Sequence, residues 1–196
     1  MAGMNDWRRK RMVAATSDIC NFGWKAVDAS LKATDGNHYH LHDLCGKNGL
    51  VVAFICNHCP YVLAVIERMV DDANLLQKEG VNFVAICAND ALSYPEDSFA
   101  NMVKFAKLHR FTFPYLHDET QAVARAYDAI CTPDFFGFNQ DLELQYRGRL
   151  DEGKGLRIAS DARRDLLLAM RQIAQTGMGP KQQIASMGCS IKWKAA

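Results

Sequence analysis

The sequence predicts an α/β fold in which a mixed central β-sheet is flanked by helices. An apolar run at 50–56 is typical of a strand buried on both faces, and apolar residues recur at helical spacing over 60–79. A second apolar run at 81–86 completes a strand–helix–strand unit. Hairpin patterns on either side of this unit add antiparallel strands.

The first hairpin is indicated by the turn residues at 35–37, which separate the extended segments 27–31 and 38–41. The central helix is expected to begin at Pro60, because proline has no N–H and favours the first helical turn. Gly80 is expected to cap that helix at its carboxyl end.

The second half of the chain continues the alternation of helices and strands. Pro95 predicts the first turn of a helix that runs to about residue 109. An extended segment is expected at 111–116, a short helix at 120–127, and a hairpin of 135–138 with 142–146 about a turn at 139–141. Ser160 or Asp161 is expected to cap a final helix, whose buried stripe consists of Leu166, Leu167, Met170, Ile173 and Ala174.

Composition limits the classes of partner and the compartment. The 196 residues include 23 Lys and Arg against 22 Asp and Glu, so neither nucleic acid nor a membrane surface is expected as a partner. No apolar run reaches the length of a membrane span, and no signal-peptide pattern is present. We therefore expect a cytoplasmic protein whose seven cysteines are mostly reduced.

The chemistry is expected at the junction Cys56-Asn57-His58-Cys59-Pro60, between the buried strand and the central helix. Cys59 falls at the N-cap, where free N–H groups and the helix dipole favour thiolate over thiol. Cys59 is therefore the expected nucleophile, and His58 is expected to assist if its ring faces the sulfur. A Cys-x-x-Cys beside such a unit indicates a redox centre.

Two other interpretations of these residues remain open. Cys56 and Cys59 can simply pack in the core, since free cysteine is among the most buried residue types. Alternatively, Cys56, His58 and Cys59 can bind zinc together with the histidines at 38, 40 and 42, which share one side of an extended strand. The redox interpretation is favoured, with no metal and no cofactor, because no second Cys/His pair at tight spacing is present.

The residues 54–62 resemble the peroxiredoxin-like branch of the thioredoxin superfamily, which is grouped with the alkyl hydroperoxide reductase/thiol-specific antioxidant (AhpC/TSA) family. The likeness continues at 89–90, 94–98, 113–116, 118–121, 131–135, 146–151 and 188–194. It implies a thioredoxin-like fold, with an arm at 1–20, the domain at 21–176 and a tail at 177–196. It also implies a cis Thr132–Pro133 bond close to the nucleophile.

The resemblance further implies which residues act. Cys59 would be the nucleophile and Cys56 or Cys189 its resolving thiol, with Cys131 as a further possibility if the Thr132–Pro133 bond is cis. Substrate would contact Thr132 and Pro133, and also three further residues near the nucleophile, namely His58, Pro60 and Cys131. Cys20, Cys45 and Cys87 are expected to be structural.

The sequence departs from the patterns that it resembles at two places. Val62 stands where thioredoxin carries its second cysteine, one turn into the helix. The peroxiredoxin motif Pro-x-x-x-Thr/Ser-x-x-Cys is also absent, because Val52 and Cys56 replace its proline and hydroxyl residue.

The leading hypothesis is a thiol–disulfide oxidoreductase acting on protein or small-molecule disulfides, with thioredoxin or glutathione as reductant. The alternatives are an antioxidant peroxidase that reduces hydroperoxides, and a non-catalytic redox sensor or binding module. The resemblance is compatible with a homodimer.

Overall fold

A computed structural model describes residues 14–153 and 162–195 of the chain. Its strands are β1 (Ala14–Thr16), β2 (Ser30–Ala33), β3 (His38–His40), β4 (Gly49–Phe54), β5 (Val81–Cys87), β6 (Tyr115–His117), β7 (Cys131–Thr132), β8 (Asp134–Phe138), β9 (Leu144–Gly148) and β10 (Met187–Ser190). Its helices are α1 (Pro60–Lys78), α2 (Phe99–Leu108), α3 (Ala122–Ala126) and α4 (Asp165–Thr176).

A mixed sheet forms the centre of the fold, with strand order β3-β2-β6-β5-β4-β8-β9. The three inner strands β4, β5 and β6 are parallel, as the connecting helices require. The hairpins β2–β3 and β8–β9 extend the sheet on opposite sides through antiparallel pairing. The predicted sheet and both predicted hairpins are therefore confirmed.

Burial of both faces explains why β4 is an uninterrupted apolar run. Val51 and Ala53 point to a core shared with α1, α2 and α4. Leu50, Val52 and Phe54 point to a second core on the other face, which α3 covers. The six residues of β4 are all buried, which fits a central strand between two layers of helices.

A second, three-stranded sheet pairs β10 with β1 on one side and with β7 on the other, in the order β1-β10-β7. Its register places Cys189 of β10 opposite Ala14 on one side and Thr132 on the other. The segment that carries Cys189 is therefore paired on both edges, and the cysteine itself is only 2% exposed.

The predicted helix start at Pro95 is wrong. Residues 95–97 form one 3-10 turn, after which Ser98 is extended (ψ 151°) and α2 begins at Phe99. The turn has a structural reason, because it directs the Asp97 carboxylate inward, where the backbone N–H of Asn57 donates a 2.8 Å hydrogen bond to it.

Other element boundaries also differ from the prediction. The second strand of the β8–β9 hairpin begins at Leu144 rather than at 142, since Leu142 has a left-handed backbone (φ 58°) within the loop. The expected extended segment at 111–116 is a strand only at its end, in β6. The proposed caps Ser160 and Asp161 lie outside the described residues, and α4 begins at Asp165. In the described part of the chain, no helix combines the length and apolarity that crossing a bilayer requires.

Candidate active site

Cys59 lies at the N-cap of α1, as the sequence predicts. Its backbone is extended (φ −69°, ψ 123°), and Pro60 is the first residue of the helix. The side chain is fully buried rather than exposed at the helix end. The site is thus formed where β4 delivers the chain to the positive end of α1.

Three sulfur atoms and one backbone carbonyl meet at this point. Cys59 Sγ lies 2.8 Å from Cys189 Sγ and 3.1 Å from the carbonyl oxygen of Thr132. Cys56 Sγ lies 3.3 Å from the Thr132 hydroxyl. The Thr132–Pro133 bond is cis, as the resemblance implies. The structure therefore brings together both candidate resolving thiols and the expected cis-proline.

The close approach of β10 to β7 is what brings Cys189 to Cys59. Cys189 pairs with Thr132 across this sheet. The preceding residue is Gly188, and a Cβ atom at that position would collide with the Thr132 backbone. Only glycine permits β10 to lie this close, so Gly188 helps set the distance between the two sulfurs.

The surroundings of Cys59 lower its pKa to about 5. The largest cause is the Cys56 thiol, which donates to the Cys59 thiolate, and burial opposes it. The Cys189 thiol also favours the thiolate. The sulfur makes no regular capping hydrogen bond, yet the backbone N–H groups of Val62 and Cys189 lower the pKa further.

One contact works against this trend. A protonated Cys59 donates to the Thr132 carbonyl, and that oxygen would repel a thiolate. This one hydrogen bond favours the thiol, whereas several favour the thiolate. The pKa of Cys59 is therefore still lowered.

The other two thiols at the site stay protonated. Hydrogen bonding to Cys59 is the largest cause that raises the pKa of Cys56 well above its ordinary value, and burial adds to it. Burial and the bond to Cys59 raise the pKa of Cys189 to about 12. Cys59 is therefore the thiolate of the group, and its neighbours are hydrogen-bond donors.

His58 is held beside the sulfurs by a buried carboxylate. Its Nδ1 atom lies 2.9 Å from Asp97 Oδ2, and its ring stacks on Tyr94 with a centroid distance of 5.7 Å. The hydrogen bond to Asp97 is the largest cause raising the pKa of His58, and burial partly opposes it. Asn89 donates to the same carboxylate oxygen at 2.7 Å.

Sequence reasoning missed Asp97 as a site residue, whereas the position of Asn89 just beyond a predicted strand made a place at the site one of two interpretations, the other being a plain turn. Asn89 follows β5, and parallel strands end at the same edge of a sheet, so its position next to the end of β4 could be expected. Asp97 had no such signal, because it reaches the site through a turn whose direction the sequence does not specify. Tyr115 also contributes, since its hydroxyl donates a 3.0 Å bond to the Asn57 side chain.

The remaining predicted cysteines lie in varied positions. Cys131 is fully buried in β7, its thiol donates to the Pro133 carbonyl at 3.5 Å, and burial raises its pKa. Cys87 is buried in β5, while Cys20 and Cys45 are part-buried elsewhere. None of the seven forms a disulfide in this structure. Cys131 is thus near the site but protonated.

The histidines at 38, 40 and 42 do not join the cysteines. They belong to or follow β3, the edge strand of the sheet. His40 lies 3.0 Å from Asp28, and a ring nitrogen of His42 lies 2.9 Å from the Ala26 carbonyl oxygen. Among the described residues, a group of potential metal ligands is instead formed by Cys56, His58 and Asp97, whose donor atoms lie within 4.8 Å of one another.

A largely apolar cavity of about 610 Å³ lies next to the start of α1 and to the cis-proline. Pro60 and Pro133, the neighbours in sequence of Cys59 and Thr132, form part of its wall. The half-exposed side chains of Ile184 and Met187 also line it. None of the three site cysteines lines the cavity, so its link to the site is through these two prolines.

A family comparison agrees with this geometry. The model of the AhpC/TSA family matches residues 22–147, well over half of the chain. The chain belongs to the AhpC/TSA family. This match includes the Cys59 junction and the cis-proline strand, although the family pattern does not assign a role to any residue here.

Solved structures give the same result for the fold. An uncharacterized conserved protein from Geobacillus kaustophilus is 43% identical, with a TM-score of 0.88 over 95% of this chain and 99% of that one. A hypothetical protein from Sinorhizobium meliloti 1021 is 34% identical, with a TM-score of 0.87 over 92% and 99%. A thiol:disulfide interchange protein of the thioredoxin family from Chlorobium tepidum TLS is 16% identical, with a TM-score of 0.59 over 76% and 95%. The fold is therefore thioredoxin-like. No match was found among curated proteins.

Proposed function

We propose that this protein is a thiol–disulfide oxidoreductase in which Cys59 is the nucleophile and Cys189 resolves the mixed disulfide. The observation that supports this most directly is the 2.8 Å separation of the two sulfurs. A disulfide is about 2.05 Å long, so the atoms need to approach by only about 0.8 Å to bond. The thiolate form of Cys59 supplies the reactive species at neutral pH.

The reaction proceeds by two exchange steps. Cys59 thiolate attacks one sulfur of a substrate disulfide, forms a mixed disulfide and releases the other sulfur as a thiolate, which takes a proton. Cys189 then loses its proton and attacks Cys59 Sγ, which forms the Cys59–Cys189 disulfide and releases the second substrate thiol. The substrate gains two electrons from the protein and two protons, of which Cys189 releases one and solvent supplies the other. A thiol reductant such as thioredoxin or glutathione returns the protein to its dithiol form.

Cys56 has a different role in this proposal. Its thiol donates a hydrogen bond to the Cys59 thiolate. Cys56 stands at the position that a hydroxyl residue takes in the peroxiredoxin motif. Its thiol is buried and its pKa is raised well above the ordinary value, so it stays a donor rather than an attacking group. Cys56 is therefore a positioning residue for Cys59.

The cavity supports a substrate with an apolar group beside its disulfide. Apolar side chains dominate its wall, including Val65, Phe135 and Leu150. Pro60 and Pro133 line the cavity, and Thr132 contacts the Cys59 and Cys56 sulfurs, so in this proposal these three residues contact the substrate. A peptide disulfide with a hydrophobic neighbour residue fits these surroundings better than a small polar disulfide.

The test is peptide mapping under non-reducing conditions after the reduced protein receives one equivalent of a peptide disulfide. We expect a Cys59–Cys189 bridge, and we expect Cys189→Ser to accumulate the mixed disulfide on Cys59. Cys59→Ser should abolish insulin reduction with dithiothreitol, whereas the control Cys45→Ser should leave it unchanged. A Cys59–Cys56 bridge in the unmodified protein would assign resolution to Cys56 and refute this part of the proposal.

A peroxidase is the second candidate, and family membership together with the Cys59–Pro60 helix start favours it. Cys59 thiolate would attack a hydroperoxide, release an alcohol and become a sulfenic acid, which Cys189 then converts to a disulfide with loss of water. The replacement of the motif's hydroxyl residue by Cys56 weighs against rapid turnover. Catalytic consumption of hydrogen peroxide with a thiol donor, and no insulin reduction, would select this candidate.

A redox sensor remains the third candidate, and the burial of the sulfurs is the observation that favours it. Cys59 is fully buried, and Cys56 and Cys189 are 1% and 2% exposed. A sensor would form the Cys59–Cys189 bridge once per oxidation without turning over substrate. Multiple turnovers in the insulin assay would exclude this role.

A further inference from the structure

Three side chains with metal-binding atoms converge beside the nucleophile. The Cys56 sulfur, a His58 ring nitrogen and an Asp97 carboxylate oxygen all lie within 4.8 Å of one another. Cys56 and Asp97 are buried, and the His58 side chain is only 19% exposed. Their donor atoms belong to three separate types: sulfur, nitrogen and oxygen.

The His58 nitrogen that faces this group already lies against a carboxylate oxygen. His58 Nδ1 is buried and stands 2.9 Å from Asp97 Oδ2. Among the described residues, no further hydrogen-bond partner of this nitrogen is recorded. A cation held by both atoms would satisfy the nitrogen and the carboxylate together.

We propose that Cys56, His58 and Asp97 bind a zinc ion, with the fourth coordination position on the side of Cys59. Zinc takes thiolate, imidazole and carboxylate ligands, which is this donor set. In a tetrahedral site the nitrogen and oxygen ligands lie about 3.3 Å apart and sulfur and nitrogen about 3.6 Å apart. The observed nitrogen–oxygen distance must therefore open slightly, and the sulfur must move inward by about 1.2 Å at most.

Outer hydrogen bonds already hold the ligands in place. The backbone N–H of Asn57 binds Asp97 Oδ1 at 2.8 Å, and the Asn89 side chain binds Oδ2 at 2.7 Å. Each carboxylate oxygen keeps a second lone pair for the metal. The ring of His58 is oriented by Tyr94, against which it stacks at an interplanar angle of 6°. Outer contacts of this kind orient metal ligands and raise their affinity.

Zinc at this position would regulate the nucleophile, and this part of the inference rests on the proposed function. Once Cys56 has lost its proton to bind the metal, it no longer donates a hydrogen bond to Cys59. We therefore expect zinc to inhibit the reduced protein, and removal of zinc to restore its reactivity.

Metal binding is tested without any activity measurement. Reduced protein is freed of metal with a chelator and titrated with Zn²⁺ in competition with a chromophoric chelator. Co²⁺ is then used as a spectroscopic probe, because thiolate ligation gives a charge-transfer band. We expect one equivalent of metal, a cobalt–thiolate band, and a loss of affinity of at least 10-fold in Cys56→Ser and His58→Gln.

Matched variants make the outcome decisive. His58 lies at the edge of the core, so His58→Gln should fold normally, which circular dichroism checks. Cys45→Ser and the double variant Cys59→Ser/Cys189→Ser should keep the affinity of the unmodified protein. Unchanged affinity in Cys56→Ser or His58→Gln would overturn the proposal, as would lost binding in the double variant. If zinc binds as expected but insulin reduction is absent, only the proposed enzymatic function fails.

Discussion

Replacing Cys56 with alanine should raise the pKa of Cys59, because Cys56 is the largest cause of its lowered value. A hydrogen bond to a charged group contributes about 1.5–3 kcal/mol, and one pKa unit corresponds to about 1.4 kcal/mol. The pKa of Cys59 should therefore rise from about 5 by about 1 to 2 units. Since the hydroxyl of Cys56→Ser still donates, that variant should shift the pKa less.

The assay is alkylation of Cys59 with iodoacetamide, followed by peptide mass spectrometry in the presence of a metal chelator. The ratio of the rate at pH 5 to the rate at pH 8 cancels differences in access to the buried sulfur. We expect this ratio to fall about 5- to 50-fold in Cys56→Ala, as the titration shifts by about 1 to 2 units. The control Cys45→Ser should retain the original ratio. A change of less than about two-fold in Cys56→Ala would refute the assignment of Cys56 as the donor to Cys59.

Three further variants test other parts of the structure. Asp97→Asn should lower the pKa of His58, measured by NMR, because Asp97 raises that pKa in the folded protein. The stability that this pair adds is present below about pH 6.5 and is lost as the pH rises through the raised pKa of His58. The stability of the variant should lack this pH dependence. Gly188→Ala should push β10 away from β7 and slow formation of the Cys59–Cys189 disulfide, measured by peptide mapping after oxidation. An unchanged rate would show that the close approach of β10 to β7 does not control formation of this disulfide. Arg147→Leu should cost about 3–5 kcal/mol in urea unfolding, since it leaves the buried Asp134 without its partner at 3.2 Å. A loss below about 1 kcal/mol would show that this ion pair is not needed.

The central part of the fold could be predicted from the sequence because its signals are local. The buried strand β4, the helix α1 and the strand β5 each carry their own periodicity, and Pro60 marks the boundary at which the nucleophile lies. Cys59 at the N-cap follows from that boundary alone. Its low pKa was expected from the helix end, whereas in the structure the Cys56 thiol is the larger cause.

Contacts that depend on distant segments could not be predicted from the sequence in the same way. The contact between Cys59 and Cys189 joins residues 130 positions apart and depends on the register of β10 against β7. No local pattern encodes that register, so the resemblance suggested Cys189 only as one of several resolving thiols. The position of Asp97 could not be predicted either. Proline usually begins a helix, but Pro95 begins a 3-10 turn, and this turn places Asp97 at the site.

Cys59 and Cys189 are synthesised at different times, because they lie far apart in the sequence. Cys59 leaves the ribosome first, and Cys189 is synthesised 130 residues later. At about 5–20 residues per second, this interval is on the order of ten seconds. During that interval β7 and α1 can form, but the strand that carries the resolving thiol does not yet exist. The nascent chain can therefore fold most of its central sheet while remaining unable to form this disulfide, and the redox centre is completed only when β10 has been made.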